Sequence, residues 1–117
     1  MVKTLDRELK RGTLEMILLN LLAGRPMYGY ELIATLERLG GASFLLKEGT
    51  LYPVLYRLED AGLIAARWET VDRGVPRKYY EVTPTGAGEL ERLRGEWQVF
   101  RASVDRLMGL TEGGSAS

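Results

Sequence analysis

The chain has no cysteine and no histidine. Those two absences remove disulfides, thiol redox sensing, Cys/His zinc sites and every Ser-His or Cys-His nucleophile arrangement. An enzyme built from the remaining residues needs carboxylates, lysine or tyrosine. Its acids are scattered beside basic residues along helix-like segments, the pattern of solvated faces, so no active-site constellation emerges and neither a metal nor a cofactor is implied. Net charge is missing as well: 16 Lys and Arg stand against 16 Asp and Glu. The basic excess that usually marks a nucleic-acid binder is therefore absent, and such a function has to rest on local charge. Long hydrophobic runs are absent too. The longest, around "MILLNLL", falls short of the roughly 20 apolar residues of a membrane span. The N-terminus lacks the basic, apolar, small-residue order of a signal peptide, which reads as a cytoplasmic protein with no membrane partner.

What is present suits one domain. At 117 residues the chain can bury a modest core, and a partner subunit would help it considerably. Apolar residues make up 45% and charged residues 27%, which excludes wholesale disorder. In "TLEMILLNLLAG", Leu14, Ile17, Leu18, Leu21 and Leu22 recur at amphipathic-helix spacing, and Gly24 is placed to end the helix. After "GRPMYG", Leu32, Ile33, Leu36 and Leu39 repeat the spacing over residues 28–39, until Gly40 and Gly41 stop it. A loop, "GGASFLLKE", leads to a third stripe of Leu51, Leu55 and Leu58.

The period then changes. "LIAARWETV" and "RKYYEVT" are rich in β-branched and aromatic residues, and "DRGVP" between them predicts a β-hairpin. Thr83 is a plausible N-cap and Pro84 a first helical residue. Beyond them Leu90, Leu93, Trp97, Phe100, Val104 and Leu107 alternate spacings of three and four, the seam of a helix packed along another helix. From 84 to 108 it would be about 37 Å long at about 1.5 Å per residue, more than a three-helix core of this size needs. The overhang wants a second copy of the chain, unless the seam folds back on the first helix. The tail 109–117 reads as disordered.

The expected fold class is α+β, mainly helical with a β-hairpin wing. Three helices and then a hairpin is the order of a winged helix-turn-helix, whose third helix enters the major groove. Stepping about 100° per residue from Leu51 keeps Val54, Leu55 and Leu58 on the buried side. Gly49, Pro53, Tyr56 and Asp60 fall opposite, with Thr50 and Arg57 on one flank and Tyr52 and Glu59 on the other. A small, polar helix end suits close approach to DNA. Pro53 also fits as a helix-start proline, tolerated because early N–H groups lack helical partners. Tyr52 and Tyr56 fit either flank packing or a hydroxyl contact to phosphate. Arg57 is the base-reading candidate or a plain surface arginine. In "DRGVPRKYY", Arg73, Arg77 and Lys78 oppose only Asp72, a local positive excess where a wing would meet phosphate.

These segments, "TLEMILLNLLAGRPMYGYELI", "EGTLYPVLYRLEDAGLI" and "RKYYEVT", closely resemble the PadR family of bacterial transcriptional regulators from about Leu5 to Leu107. The resemblance implies a dimeric winged helix-turn-helix protein spanning residues 1–83, usually a repressor, on an inverted-repeat operator in double-stranded DNA. It implies dimerisation through the C-terminal helix, 84–108, in agreement with the seam. By position it implies DNA-facing roles for Tyr28, Gly29, Thr50, Tyr52, Pro53, Arg57, Arg73, Arg77 and Lys78. Short members, where they sense small molecules, do so near the dimer interface. In a symmetric dimer Trp97 approaches its own copy, so two tryptophans could flank a planar aromatic effector, or Trp97 could serve interface packing alone. Two features depart from the family pattern: Gly95 interrupts the long helix at a cost of about 1 kcal/mol relative to alanine, and the wing tip carries Asp72 with Val75. A winged-helix module for protein contact, without an operator, is the competing reading.

Overall fold

The computed structural model describes residues 2–70 and 74–110, with side chains from Gly12 onward. The elements follow as α1 (Val2–Gly24), β1 (Met27–Tyr28), α2 (Gly29–Gly40), a 3-10 helix (Gly41–Phe44), α3 (Glu48–Asp60), β2 (Ile64–Thr70), β3 (Pro76–Val82) and α4 (Pro84–Met108). This is a winged helix-turn-helix with a long C-terminal helix. It is elongated: the radius of gyration is 16.6 Å, against about 13 Å for a globular domain of this length. Arg73 and Asp72 of the turn, and the tail from residue 111, lie outside the described residues.

Apolar periodicity located the four α-helices, and the tertiary packing then redistributed the stripes. In α1, Leu14, Leu18 and Leu22 are buried as the spacing requires, but Leu19 is fully buried too, while Ile17 and Leu21 sit at the core's edge. The reason is that α1 is packed by α3, β3 and α4 together, so its buried arc is wider than one stripe. The helix also begins at Val2 rather than near Thr13. Its first half is dense in charge, which dilutes the apolar pattern without opposing helix formation. In α2, Leu32 and Leu36 are buried, whereas Leu39 is exposed on the last turn. Part of the expected "GGASFLLKE" loop is the 3-10 helix, entered through Gly41 at φ +68°.

A third strand joins the hairpin. The sheet order is β1-β3-β2, all antiparallel, with Met27 opposite Tyr80 and Tyr28 opposite Tyr79. In the hairpin Ala66 faces Tyr80, Arg67 faces Tyr79 and Trp68 faces Lys78. Strand alternation therefore puts Met27, Tyr80, Ile64, Ala66, Trp68 and Lys78 on one face and Tyr28, Tyr79, Arg67 and Arg77 on the other. The first face holds the core side of the sheet, with Tyr80 and Ile64 among the most deeply buried side chains.

The start of α4 is clamped to the turn between α3 and β2. Thr83 Oγ1 accepts from the Gly86 N–H at 3.0 Å and donates to the Gly62 carbonyl at 2.7 Å. The Thr83 N–H donates to the Leu63 carbonyl at 3.0 Å, and Pro84 takes the first helical turn. Gly86 lies so close to the Leu63 carbonyl that a Cβ would overlap it. Gly95 does not interrupt α4, which runs on to a left-handed cap at Gly109. Gly86→Ala is expected to lower stability by about 1–3 kcal/mol, because a backbone oxygen cannot step aside. Gly88→Ala, with open space around it, should raise stability by up to about 1 kcal/mol. Urea denaturation of the two variants checks both signs.

Candidate nucleic-acid interface

The buried side of α3 is Leu51, Val54, Leu55 and Leu58. Gly49, Thr50, Pro53, Tyr56, Arg57 and Asp60 are exposed, and Tyr52 and Glu59 are half-buried on the flank. The helix starts at Glu48, with Lys47 as an N-cap that provides no side-chain acceptor. The Thr50 and Leu51 N–H groups both turn back to the Lys47 carbonyl, at 2.9 and 3.0 Å. The N–H groups at the very tip thus lack a side-chain cap, the arrangement in which a helix end accepts an anion from outside. Glu48 sits in the same turn and opposes an anion there. The contrast with α4, whose tip is capped by Thr83, is direct.

The start at Glu48 corrects one expectation. Pro53 is the sixth residue of α3, past the turn in which N–H groups have no helical partner. Its missing N–H removes the bond that would reach the Gly49 carbonyl, and its ring presses on that carbonyl. Gly49 is exposed with open space around its Cα, so the freed carbonyl meets solvent. Pro53 is an interior helix proline on the outward face.

Two residues assigned together by resemblance, Gly29 and Tyr52, touch each other. A methyl group at Gly29 would overlap the Tyr52 hydroxyl and come within 2.6 Å of the ring carbon bearing it. Gly29 is buried, so its role in this geometry is to admit the Tyr52 ring. Burial, followed by the Glu48 carboxylate and Tyr56, pushes the Tyr52 hydroxyl above its ordinary pKa. Tyr56 stands one turn further along, its ring centroid 6.0 Å from that of Tyr52, and remains exposed.

The wing charges separate. Lys78 Nζ points toward α3, 5.6 Å from the Tyr56 ring centroid, 5.3 Å from that of Tyr80 and 3.6 Å from Glu59 Oε1. Burial works against its ammonium, but the Tyr80 and Glu59 oxygens outweigh that and raise its pKa. On the opposite face the Arg77 guanidinium lies 4.5 Å from the Tyr28 ring centroid. Tyr28 meets Tyr79 edge-on at 5.3 Å, and Arg67 covers Tyr79 at 5.9 Å. Tyr28 is also tied at the N-cap of α2, its N–H donating to Glu31 Oε1 at 3.2 Å. Lys78 therefore couples the wing to α3, while Arg77 rides the outer face of the sheet.

Arg57 is engaged by α1. Its Nη2 and Nε approach Glu15 Oε2 at 3.1 and 3.4 Å. Both partners are partly exposed, so the pair contributes about 0–1 kcal/mol, little enough for a phosphate or base edge to compete with. Trp68, 67% exposed and directly across from Lys78, was assigned no role by sequence. The alternation of "ARWET" against "PRKYY" was the available signal.

The α4 seam divides. Leu90 is 3% exposed and belongs to the core of its own chain, and Leu93 packs against that core. Leu90 supplies no free interface, whereas Leu93, half-buried, still lines the depression beside Trp97 and Phe100 where the outward seam begins. There Trp97 lies in shallow depressions of about 270 and 280 Å³ beside Met16 and Asn20 of α1 and Phe100 of α4. Phe100 is 57% and Leu107 86% exposed, with Val104 half-buried between them. Among the described residues, the seam meets α1 where Leu93, Trp97 and Phe100 stand beside Thr13 and Met16. No group of acidic residues among the described residues is arranged to hold a metal, and no described helix is long and apolar enough to cross a membrane.

Residues 18–92 match the model of the transcriptional regulator PadR-like family. An uncharacterised protein of Lysinibacillus sphaericus is 38% identical over 98 residues, covering 84% of this chain and 90% of its own. Transcriptional regulator Rv3488 of Mycobacterium tuberculosis is 36% identical over 84 residues, 72% of this chain and 75% of its own. The crystal structure of a PadR family transcriptional regulator from Eggerthella lenta superposes with a TM-score of 0.78 at 36% identity, covering 94% of each chain. For the packing described, Gly29→Ala should displace the Tyr52 ring. The readout is loss of the Tyr52–Tyr56 ring contact in NMR spectra, together with about 1–3 kcal/mol of lost stability.

Proposed function

Because the chain belongs to the PadR-like family of transcriptional regulators, and is therefore a DNA-binding regulator of transcription and not an enzyme, we propose that it acts in the cytoplasm as a homodimeric repressor on an inverted-repeat operator. The observation that carries this reading is the outer half of the α4 seam. Phe100 and Leu107 stand in solvent along a helix whose inner half is already packed. A second copy related by a two-fold axis would cover them with the same residues. In this reading residues 1–83 bind DNA, 84–108 dimerise, and Leu93, Trp97, Phe100, Val104 and Leu107 form the interface, with Leu90 committed to the core of its own chain.

The dimer sets two α3 helices about 34 Å apart, into successive major grooves. Thr50, Pro53, Tyr56 and Arg57 face the bases and adjacent phosphates, with Arg57 exchanging Glu15 for DNA. Tyr52 and Gly29 hold the helix end in place, and Tyr28 supports Arg77 at the wing. Arg77 and Lys78, with Arg73 of the turn, approach the flanking backbone. Repression is steric: an occupied operator excludes polymerase. A planar aromatic effector between two Trp97 side chains would relieve it only through unequal affinity for the two spacings of α3.

Light scattering should give twice the chain mass for the wild type, and Phe100→Glu should give monomers that lose the operator. A monomeric wild type would refute the dimer. Binding to an inverted repeat upstream of the gene should weaken steeply with salt. Arg77→Ala should weaken all sequences alike and reduce the salt slope by about 1, whereas Arg57→Ala should relax sequence preference. Salt-independent or absent DNA binding would favour a protein-contact module instead. A broad panel of planar aromatics that left both Trp97 fluorescence and operator affinity unchanged would remove the effector site.

A further inference from the structure

A cavity of about 200 Å³ lies between α1, α2 and the 3-10 helix, on a part of the molecule that the DNA-facing surface does not use. Ile17 and Leu21 line it from α1, Leu36 and Leu39 from α2, and Phe44 from the 3-10 helix. Phe44 lies directly over Gly40, where a Cβ would fall 2.6 Å from the ring. The ring thus forms a wall of the space, in a position that any side chain at residue 40 would displace.

One polar side chain, Thr35, lines this apolar space. At 8% exposure it is the only polar residue in the buried set among the described residues, and none of their hydrogen bonds uses its hydroxyl. A threonine inside a helix ordinarily turns its hydroxyl back to the carbonyl one turn earlier. Ser103 does so with the Val99 carbonyl at 3.0 Å. The buried side-chain oxygen left without a partner among the described residues is Tyr80 Oη, so the Thr35 hydroxyl is served by solvent at the mouth of this space, where a ligand oxygen can take the water's place. An apolar cavity of about 150 Å³ already admits a six-membered ring.

We propose that this cavity binds a small, mostly apolar molecule of ring size that carries one hydroxyl or carbonyl group, whose oxygen pairs with Thr35 Oγ1. The chemistry excludes charged ligands, since no ionisable side chain lines the space. Leu39, exposed at the rim, gains cover from such an occupant. The site is separate from the depressions at Trp97, which share only Ile17 with it. It also sits at the joint of the helix-turn-helix: Phe44 is three residues from Lys47, the N-cap of α3.

The test uses the full chain with labelled methyl groups and two probes of equal shape, cyclohexanol and methylcyclohexane, without DNA. Cyclohexanol is expected to shift the Leu21, Leu36 and Leu39 methyl resonances saturably. Thr35→Val should weaken cyclohexanol by about tenfold and leave methylcyclohexane unchanged. Leu39→Trp, at an exposed position that tolerates substitution, should block both probes, and Leu21→Phe should do the same if it folds. Absent or non-saturating shifts would overturn the proposal. So would shifts confined to Val99, Val104 and Leu107, or equal cyclohexanol affinity in wild type and Thr35→Val. Since no operator enters the experiment, its failure would leave the repressor reading untouched.

Discussion

The backbone ladder of β3 is the constraint from which the geometry of the wing and its joint with α3 follows. It alone pairs on both edges, with β1 and with β2, and a strand's side chains must alternate. Once Tyr80 is drawn into the core, Lys78 has to look toward α3 and Arg77 and Tyr79 have to look away. The wing is consequently a two-sided device. Lys78, Tyr56 and Glu59 form a joint with α3, while Arg77, Tyr28, Tyr79 and Arg67 make a cationic and aromatic surface on the far face. The two-residue strand β1 matters out of proportion to its length, because it delivers Tyr28 to that surface and starts α2 at the same residue.

The two helix ends that matter are built in opposite ways. That of α4 is closed by Thr83 and set against the Leu63 carbonyl, which suits an element that must leave the domain at a fixed angle. That of α3 is left without a side-chain cap, and Pro53 a turn later opens a further carbonyl. Polar backbone groups at an exposed helix end have water as their partner until something replaces it. In the proposed function, DNA is what replaces that water at the end of α3.

The helices were legible in the sequence because apolar spacing reports burial directly, and the outward face of α3 was legible because a regular helix turns by a constant angle. What escaped depended on distant partners. Arg57 reads as a free flank residue until Glu15, 42 residues away, closes on it. Gly29 and Tyr52 read as separate contacts until the fold presses one against the other. β1 is too short to carry a period, and the charged half of α1 hid its start. The separation of Arg77 from Lys78 was available from alternation alone, but adjacent charges invite grouping by sign. Leu90 and Leu93 hold the seam's period although both pack on the core of their own chain, so periodicity could not reveal where one chain's packing ends and the outer surface begins.

The clamp at the base of α4 has a mechanical consequence. A helix of 25 residues spans about 37 Å, and its first half is held by Thr83, Gly86 and Leu63 at the base and by the packing of Leu90 and Leu93 on the core. The part beyond Trp97, about 17 Å long, is the lever, and the packed half is its fulcrum. A tilt of about 10° there carries the far end about 3 Å, roughly the rise of two helical residues. Whatever shifts the packed half by a fraction of an ångström is therefore magnified along the arm, and motion imposed at the tip returns to the fulcrum reduced in amplitude and raised in force.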